Sequence, residues 1–207
     1  MDDDIYGIKK WGDDILEVLN NGNIGLKNPF YPSNPSIDLI KIIKSLNERG
    51  ISCPVLLRIT DYLAFRIKQI NESFFKAIKE VRYKGYYKGV FPVKVNQQAQ
   101  VIDRIVDFGK EFDFGLEVGS KPELLIALAH DLSSESTIIC NGIKDKEFIN
   151  LAILSLKIGF KTILVLESPR ELDLITEVSE ELNVRPLLGI RVKLTNKVSG
   201  NWSQSSG

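Results

Sequence analysis

The chain has little of the chemistry that most readily announces a function. Its 207 residues include one histidine, one methionine and two cysteines, and its charges cancel, with 27 Lys+Arg against 27 Asp+Glu. A net charge of zero removes the electrostatic footprint of a nucleic-acid binder or of a protein held on an anionic membrane. One histidine and two cysteines cannot furnish a usual zinc site. Cys53 and Cys140 lie far apart, each beside an apolar strand-like run, and read as buried free thiols in a reducing compartment. No apolar run is long enough to span a bilayer, and Asp2-Asp3-Asp4 is the reverse of a basic signal-peptide start. A cytoplasmic protein is the expectation. No G-x-G-x-x-G follows the first strand-like segment, which argues against a dinucleotide-binding sheet. His130, at the end of the apolar stretch 124–129, reads as a capping or surface residue rather than a catalyst.

What is present is a regular alternation of two periods. Hydrophobic residues make up 43% and charged residues 26%, ordinary for a globular chain. Apolar runs at 54–59, 87–95, 112–118, 137–140, 161–166 and 187–194 read as six strands. Between them, helices are expected over 61–82 and 98–108, from the Ser120-Lys121-Pro122-Glu123 capping signal, over 146–157, and from Ser168-Pro169 to about Leu182. Strand-helix units recurring roughly every 25 residues imply a parallel sheet and an α/β fold. Periodicity alone leaves an open doubly wound sheet and a (β/α)8 barrel as alternatives. Residues 1–52 differ. Ile5-Tyr6-Gly7-Ile8 and Ile24-Gly25-Leu26 read as short strands around the turn signal Asn21-Gly22-Asn23, before a helix over 36–49. They have the look of part of a small β module, marginal without partner strands.

The most informative residue is Lys94, in Phe91-Pro92-Val93-Lys94-Val95-Asn96-Gln97. Strand alternation places Val93 and Val95 on one face and Pro92, Lys94 and Asn96 on the other. An amine on the inner side of a buried strand is desolvated and so made nucleophilic, as a Schiff-base lysine requires. By itself the segment is a weak signal, a solvated lysine on a strand being the commoner outcome. In a parallel barrel, catalytic groups gather at the carboxyl ends of the strands. The polar residues expected there are Arg58, Lys94 with Asn96, Glu117 with Ser120, Asn141, Glu167 and Arg191. Helix capping accounts for Ser120 and Ser168. It accounts poorly for Arg191 inside Gly189-Ile190-Arg191-Val192, where a buried partner is needed.

Three segments together resemble the biosynthetic arginine decarboxylases. They are Gly89 through Gln98 around Lys94, Phe112-Asp113-Phe114-Gly115-Leu116-Glu117-Val118-Gly119-Ser120-Lys121-Pro122-Glu123-Leu124, and Ile139-Cys140-Asn141-Gly142-Ile143-Lys144-Asp145. Gly189-Ile190-Arg191-Val192-Lys193-Leu194, the tail from Ser199 to Gly207, and Tyr6-Gly7-Ile8 with Trp11-Gly12 continue the likeness, so that it covers essentially the whole chain. The resemblance implies a partial pyridoxal phosphate-binding barrel, about six of eight strands over residues 36–207. Residues 1–35 would be strands belonging to a separate β-domain. It implies Lys94 as the lysine that holds the cofactor, Asn96, Glu117, Asn141 and Arg191 as cofactor contacts, and Arg58 as a lesser one. The implied reaction is decarboxylation of L-arginine to agmatine for polyamine synthesis, with magnesium as a further requirement and homo-oligomers that share active sites. Phe91, Ile143 and Lys193 stand where members commonly carry tyrosine, tyrosine and arginine. Members also continue past the position of Gly207 with the last barrel strands and the β-domain, which complete the site. The isolated chain is therefore expected to be unstable and inactive, with a non-catalytic partner of a full-length decarboxylase as the alternative. Another protein of the same pyridoxal phosphate fold, such as a diaminopimelate decarboxylase or alanine racemase, is a third.

Overall fold

The computed structural model describes residues 5–192, with two compact units, Met1–Gln69 and Ile70–Gly207. The boundary falls inside one long helix.

In the first unit, a four-residue helix α1 (Ile8–Trp11) precedes β1 (Leu16–Val18), β2 (Ile24–Leu26) and β3 (Ile37–Asp38), which form an antiparallel sheet in that order. The turn was read correctly and its first strand was not. Ile5–Ile8 is not a strand; Leu16–Val18 pairs across the turn instead. Gly12 N–H closes back on Ile8 O at 2.7 Å, so the helical turn uses the backbone groups a ladder would have needed. Asn21 and Asn23 donate to the Asp38 carboxylate, which also accepts from the backbone of Ile40 and Lys41 and so caps α2 (Leu39–Glu48). Those hydrogen bonds, Asn23 first, hold Asp38 below the ordinary carboxylate range against the opposing effect of burial.

The expected strand at 54–59 does not form. Its residues have no ladder partner among the described residues, and Leu56 and Leu57 are exposed. An apolar run becomes a strand only when neighbouring backbone takes up its N–H and C=O groups. Cys53, expected buried, is exposed beside it for the same reason. The helix α3 (Thr60–Glu80) then follows as expected, Asp61 in its first turn.

The second unit is a five-stranded parallel sheet in sequential order: β4 (Val90–Pro92), β5 (Gly115–Val118), β6 (Thr137–Cys140), β7 (Lys161–Leu166) and β8 (Leu187–Ile190). Five strands, not six, pair here. They alternate with α4 (Ala99–Gly109), α5 (Lys121–Leu128), α6 (Lys146–Lys157) and α7 (Pro169–Leu182). Ser120 and Asp145 accept the backbone N–H groups of Glu123 and Phe148 and start α5 and α6. Such caps are each worth about 1 kcal/mol. The core joins the sheet to these helices through Leu116, Ile138, Leu164, Ile102, Ile149 and Ile175. A Cβ on Gly115 would lie 2.0 Å from Thr137 O, so glycine lets β5 approach β6. His130 is a helix-end residue as expected, its Nδ1 2.6 Å from Ile126 O and its Nε2 3.0 Å from Asp103.

Candidate active site

The carboxyl ends of the parallel strands bring polar groups around a cavity of about 620 Å³. Lys94, Glu117, Asn141 and Arg191, all expected from the sequence, line it together with Gly119, Glu123, Gly142, Val165 and Ile190. The volume is within the range of small-molecule sites.

Lys94 reaches the cavity by a different route from the one expected. The chain leaves strand geometry after Pro92, and Val93–Val95 forms a 3-10 turn closed by Asn96 N–H on Val93 O at 3.1 Å. A turn does not keep the strand's alternation. Val93 enters the core while Lys94 is exposed, so the desolvation invoked for a buried-strand lysine is absent around its amine here. The same turn directs Asn96 away from the lining. Its Oδ1 accepts the N–H of Gln98, one residue before α4. Arg58 belongs to the other unit and is exposed on the segment that did not form a strand.

Two carboxylates define the rest of the rim. Glu117, in the interior strand β5, is 8% exposed and accepts from Asn141 Nδ2 at 2.9 Å through Oε1. Its Oε2 is buried with no hydrogen-bond partner among the described residues. A buried carboxylate oxygen of this kind requires a donor. Glu167, past the end of β7, accepts through Oε1 from Gly142 N–H and from an Arg191 guanidinium nitrogen, both at 3.0 Å. Burial acts to raise the Glu167 carboxyl. The Arg191 and Gly142 hydrogen bonds, with the positive charges of Arg191 and Lys144, outweigh it and hold it below the ordinary range. Arg191 thus has the partner its sequence setting demanded, but it sits just beyond β8 and is partly exposed rather than inside a buried strand. Gly142, at φ +77°, would place a Cβ 2.9 Å from Gly119 O, so the two strand-end turns touch through glycine.

The set can do specific chemistry. It presents a primary amine free to react, a buried acceptor lacking its donor, and a guanidinium suited to an anionic group. A carbonyl compound that carries an anionic group is compatible with the amine and the guanidinium together.

A model of the family described as pyridoxal-dependent decarboxylase, pyridoxal binding domain, matches residues 67–207. The chain belongs to this family. It is 48% identical over 202 residues to a biosynthetic arginine decarboxylase of Prochlorococcus marinus, covering 98% of this chain and 31% of that protein. The decarboxylase of the same description from Gloeobacter violaceus is 43% identical over 204 residues, with 99% and 32% covered. The crystal structure of the biosynthetic arginine decarboxylase of Campylobacter jejuni superposes with a TM-score of 0.82 at 34% identity, over 94% of this chain and 32% of that one. The chain therefore spans about a third of the length of these relatives.

Some lining groups were not picked out from the sequence as site residues. Glu123 was read only as part of a capping signal, yet its carboxylate accepts Gly119 N–H at 2.7 Å and borders the cavity. The signal for both readings is the same Ser-x-x-Glu spacing, in which the acid folds back onto the strand end.

Proposed function

We propose that this chain is the cofactor-binding portion of a pyridoxal phosphate-dependent arginine decarboxylase that converts L-arginine to agmatine and carbon dioxide. The observation that carries the cofactor reading is the Lys94 amine sharing one cavity with the Glu117 carboxylate and the Glu167-held Arg191. The substrate reading is supported by the arginine decarboxylases that match almost all of this chain. Pyridoxal phosphate supplies an aldehyde that captures amines and an electron-withdrawing ring that accepts the electron pair left when carbon dioxide departs.

The chain's own residues have separate parts. Lys94 Nζ is the covalent anchor, and its place in an exposed turn leaves the amine free to be exchanged for an incoming one. The Glu117 carboxylate would accept a hydrogen bond from the bound group, with Asn141 fixing its orientation. Arg191, steadied by Glu167, binds an anionic group at the rim. Asn96 contributes through the turn that presents Lys94, and Arg58 and magnesium rest on family resemblance alone.

The sequential strand order supports an arc of a (β/α)8 barrel, because a doubly wound sheet reverses its order at a switch point and these five strands do not. Within that frame, residues 1–35 form part of a β-domain, the site is completed by further chain and by a second subunit, and the enzyme works in the cytoplasm. One observation favours a second reading, in which the chain docks on a full-length decarboxylase without catalysis: β8 is apolar and its Ile190 is 78% exposed.

The test is to mix the chain with pyridoxal phosphate, reduce with borohydride and map the pyridoxyl label by peptide mass. Label concentrated on Lys94 is expected. Label scattered over many lysines, or none, would refute the cofactor reading for this polypeptide.

A further inference from the structure

Lys144 and Glu171 form a buried ion pair that the site described above does not use. The Lys144 side chain has no exposure and that of Glu171 has 4%, with 3.2 Å between Nζ and Oε2. Every donor and acceptor in the pair is engaged at a strand end. Lys144 Nζ donates to the carbonyls of Gly142 at 2.5 Å and Val165 at 2.6 Å. Glu171 accepts the Lys144 N–H through Oε1 and the Glu167 N–H through Oε2, both at 2.9 Å. Two of the ammonium's three protons go to carbonyls, and the Glu171 carboxylate lies beside it as an ion pair.

Burying two charges is an inefficient way to add stability, since an apolar pair of equal volume often does as well or better. What a charge pair adds is direction, because each hydrogen bond fixes the place of a particular backbone group. The groups fixed here belong to the cavity rim. Gly142 follows Asn141, the partner of Glu117, and its N–H binds Glu167; Glu167 in turn binds Arg191.

We infer that Lys144 and Glu171 are positioning residues, whose buried pair locks the ends of β6 and β7 so that Asn141 and the Glu167–Arg191 pair keep their places at the cavity rim. The consequence for pyridoxal phosphate rests on the cofactor reading above; the positioning itself does not.

The experiment compares Lys144→Met and Glu171→Gln with the exposed-pair control Lys146→Met, all in the 207-residue chain. Hydrogen exchange without ligand is read first. In Lys144→Met, exchange at residues 141–144 and 167–168 is expected to quicken by about tenfold while α6 and α7 keep their protection. Pyridoxal phosphate affinity, from absorbance titration, should weaken by about tenfold, the order found when groups supporting a site are lost. The loss should be smaller than additive with that of Arg191→Gln, because part of the effect passes through Arg191. Glu171→Gln keeps the volume and one acceptor oxygen, loses the charge and the other acceptor, and should show the same pattern, which covers the case of Lys144→Met failing to fold. Faster exchange spread evenly over α6 and α7, or losses that add fully, would reduce the pair to a stability element and overturn the inference. So would unchanged exchange at the two turns. If the unaltered chain takes up no pyridoxal phosphate, the cofactor reading fails, and local exchange alone decides the positioning.

Discussion

The middle and the far edge of the parallel sheet read alike as sequence and differ completely as structure. Leu116, Val118, Ile138 and Cys140 on β5 and β6 are 0% exposed, whereas Leu187, Leu188 and Ile190 on β8 are 45, 44 and 78% exposed. Apolar, β-prone residues specify that a segment can be a strand. Which strands lie beside it specifies whether its side chains are dry. The candidate site straddles that gradient. Its Glu117–Asn141 part belongs to the dry centre and its Glu167–Arg191 part to the wet edge. The same kind of contact therefore carries different weight at the two places. A buried carboxylate at the centre depends on its hydrogen-bond donors, while a partly exposed ion pair at the edge is screened by solvent.

The largest expected contrast is in thiol reactivity. Burial pushes the Cys140 thiol up to about 12, with Lys144 acting weakly in the opposite sense, while Cys53 is exposed. A thiol reagent at neutral pH should modify Cys53 promptly and Cys140 only as the sheet opens, and both at once in urea. Prompt reaction of both cysteines in the folded chain would show that the centre of the sheet is not dry.

Next in size is truncation of the core. Ile138→Ala should lower stability by about 2–5 kcal/mol, and Ile190→Ala at the edge by no more than about 0.5 kcal/mol. Urea midpoints measure both. Equal losses would mean that β8 is as well covered as β6.

The smallest effect concerns pH. Glu167 has a carboxyl lowered in the fold, so its contribution is fully present above its unfolded value, about 4.3, and is lost as pH falls through the lowered folded value. Because Arg191 is partly exposed, the pair is worth only about 0–1 kcal/mol. Wild type should exceed Glu167→Gln in stability at pH 7, and the two should converge on acidification below the carboxylate range. Parallel curves down to pH 3 would show that the edge pair contributes nothing.

Much of the second unit was legible beforehand. The strands at 137–140 and 161–166 and the helix at 146–157 have the bounds expected of them, because clear caps and turns flank short apolar runs. The site was legible in part. Lys94, Glu117, Asn141 and Arg191 were expected at one rim and are found there, since parallel strands put all their carboxyl ends on one side. Asn96 does not line the cavity, because the 3-10 turn at 93–95 replaces the strand on which its expected direction depended. Lys144 and Glu171 passed unnoticed because each looks like an ordinary charged residue beside a helix start. Only packing makes them a buried pair.

Local pattern by itself determined that this is an α/β chain with parallel strands, and that Lys94, Glu117, Asn141 and Arg191 fall toward their carboxyl ends. These follow from the period of apolar residues, the capping groups and the position of proline and glycine. Tertiary structure decided the rest: that among the described residues 54–59 finds no ladder, that Cys53 is open and Cys140 closed, that Lys94 is exposed, and that Glu117 is buried against Asn141. Each depends on which distant backbone or side chain arrives to take a hydrogen bond or exclude water, and no local pattern encodes that.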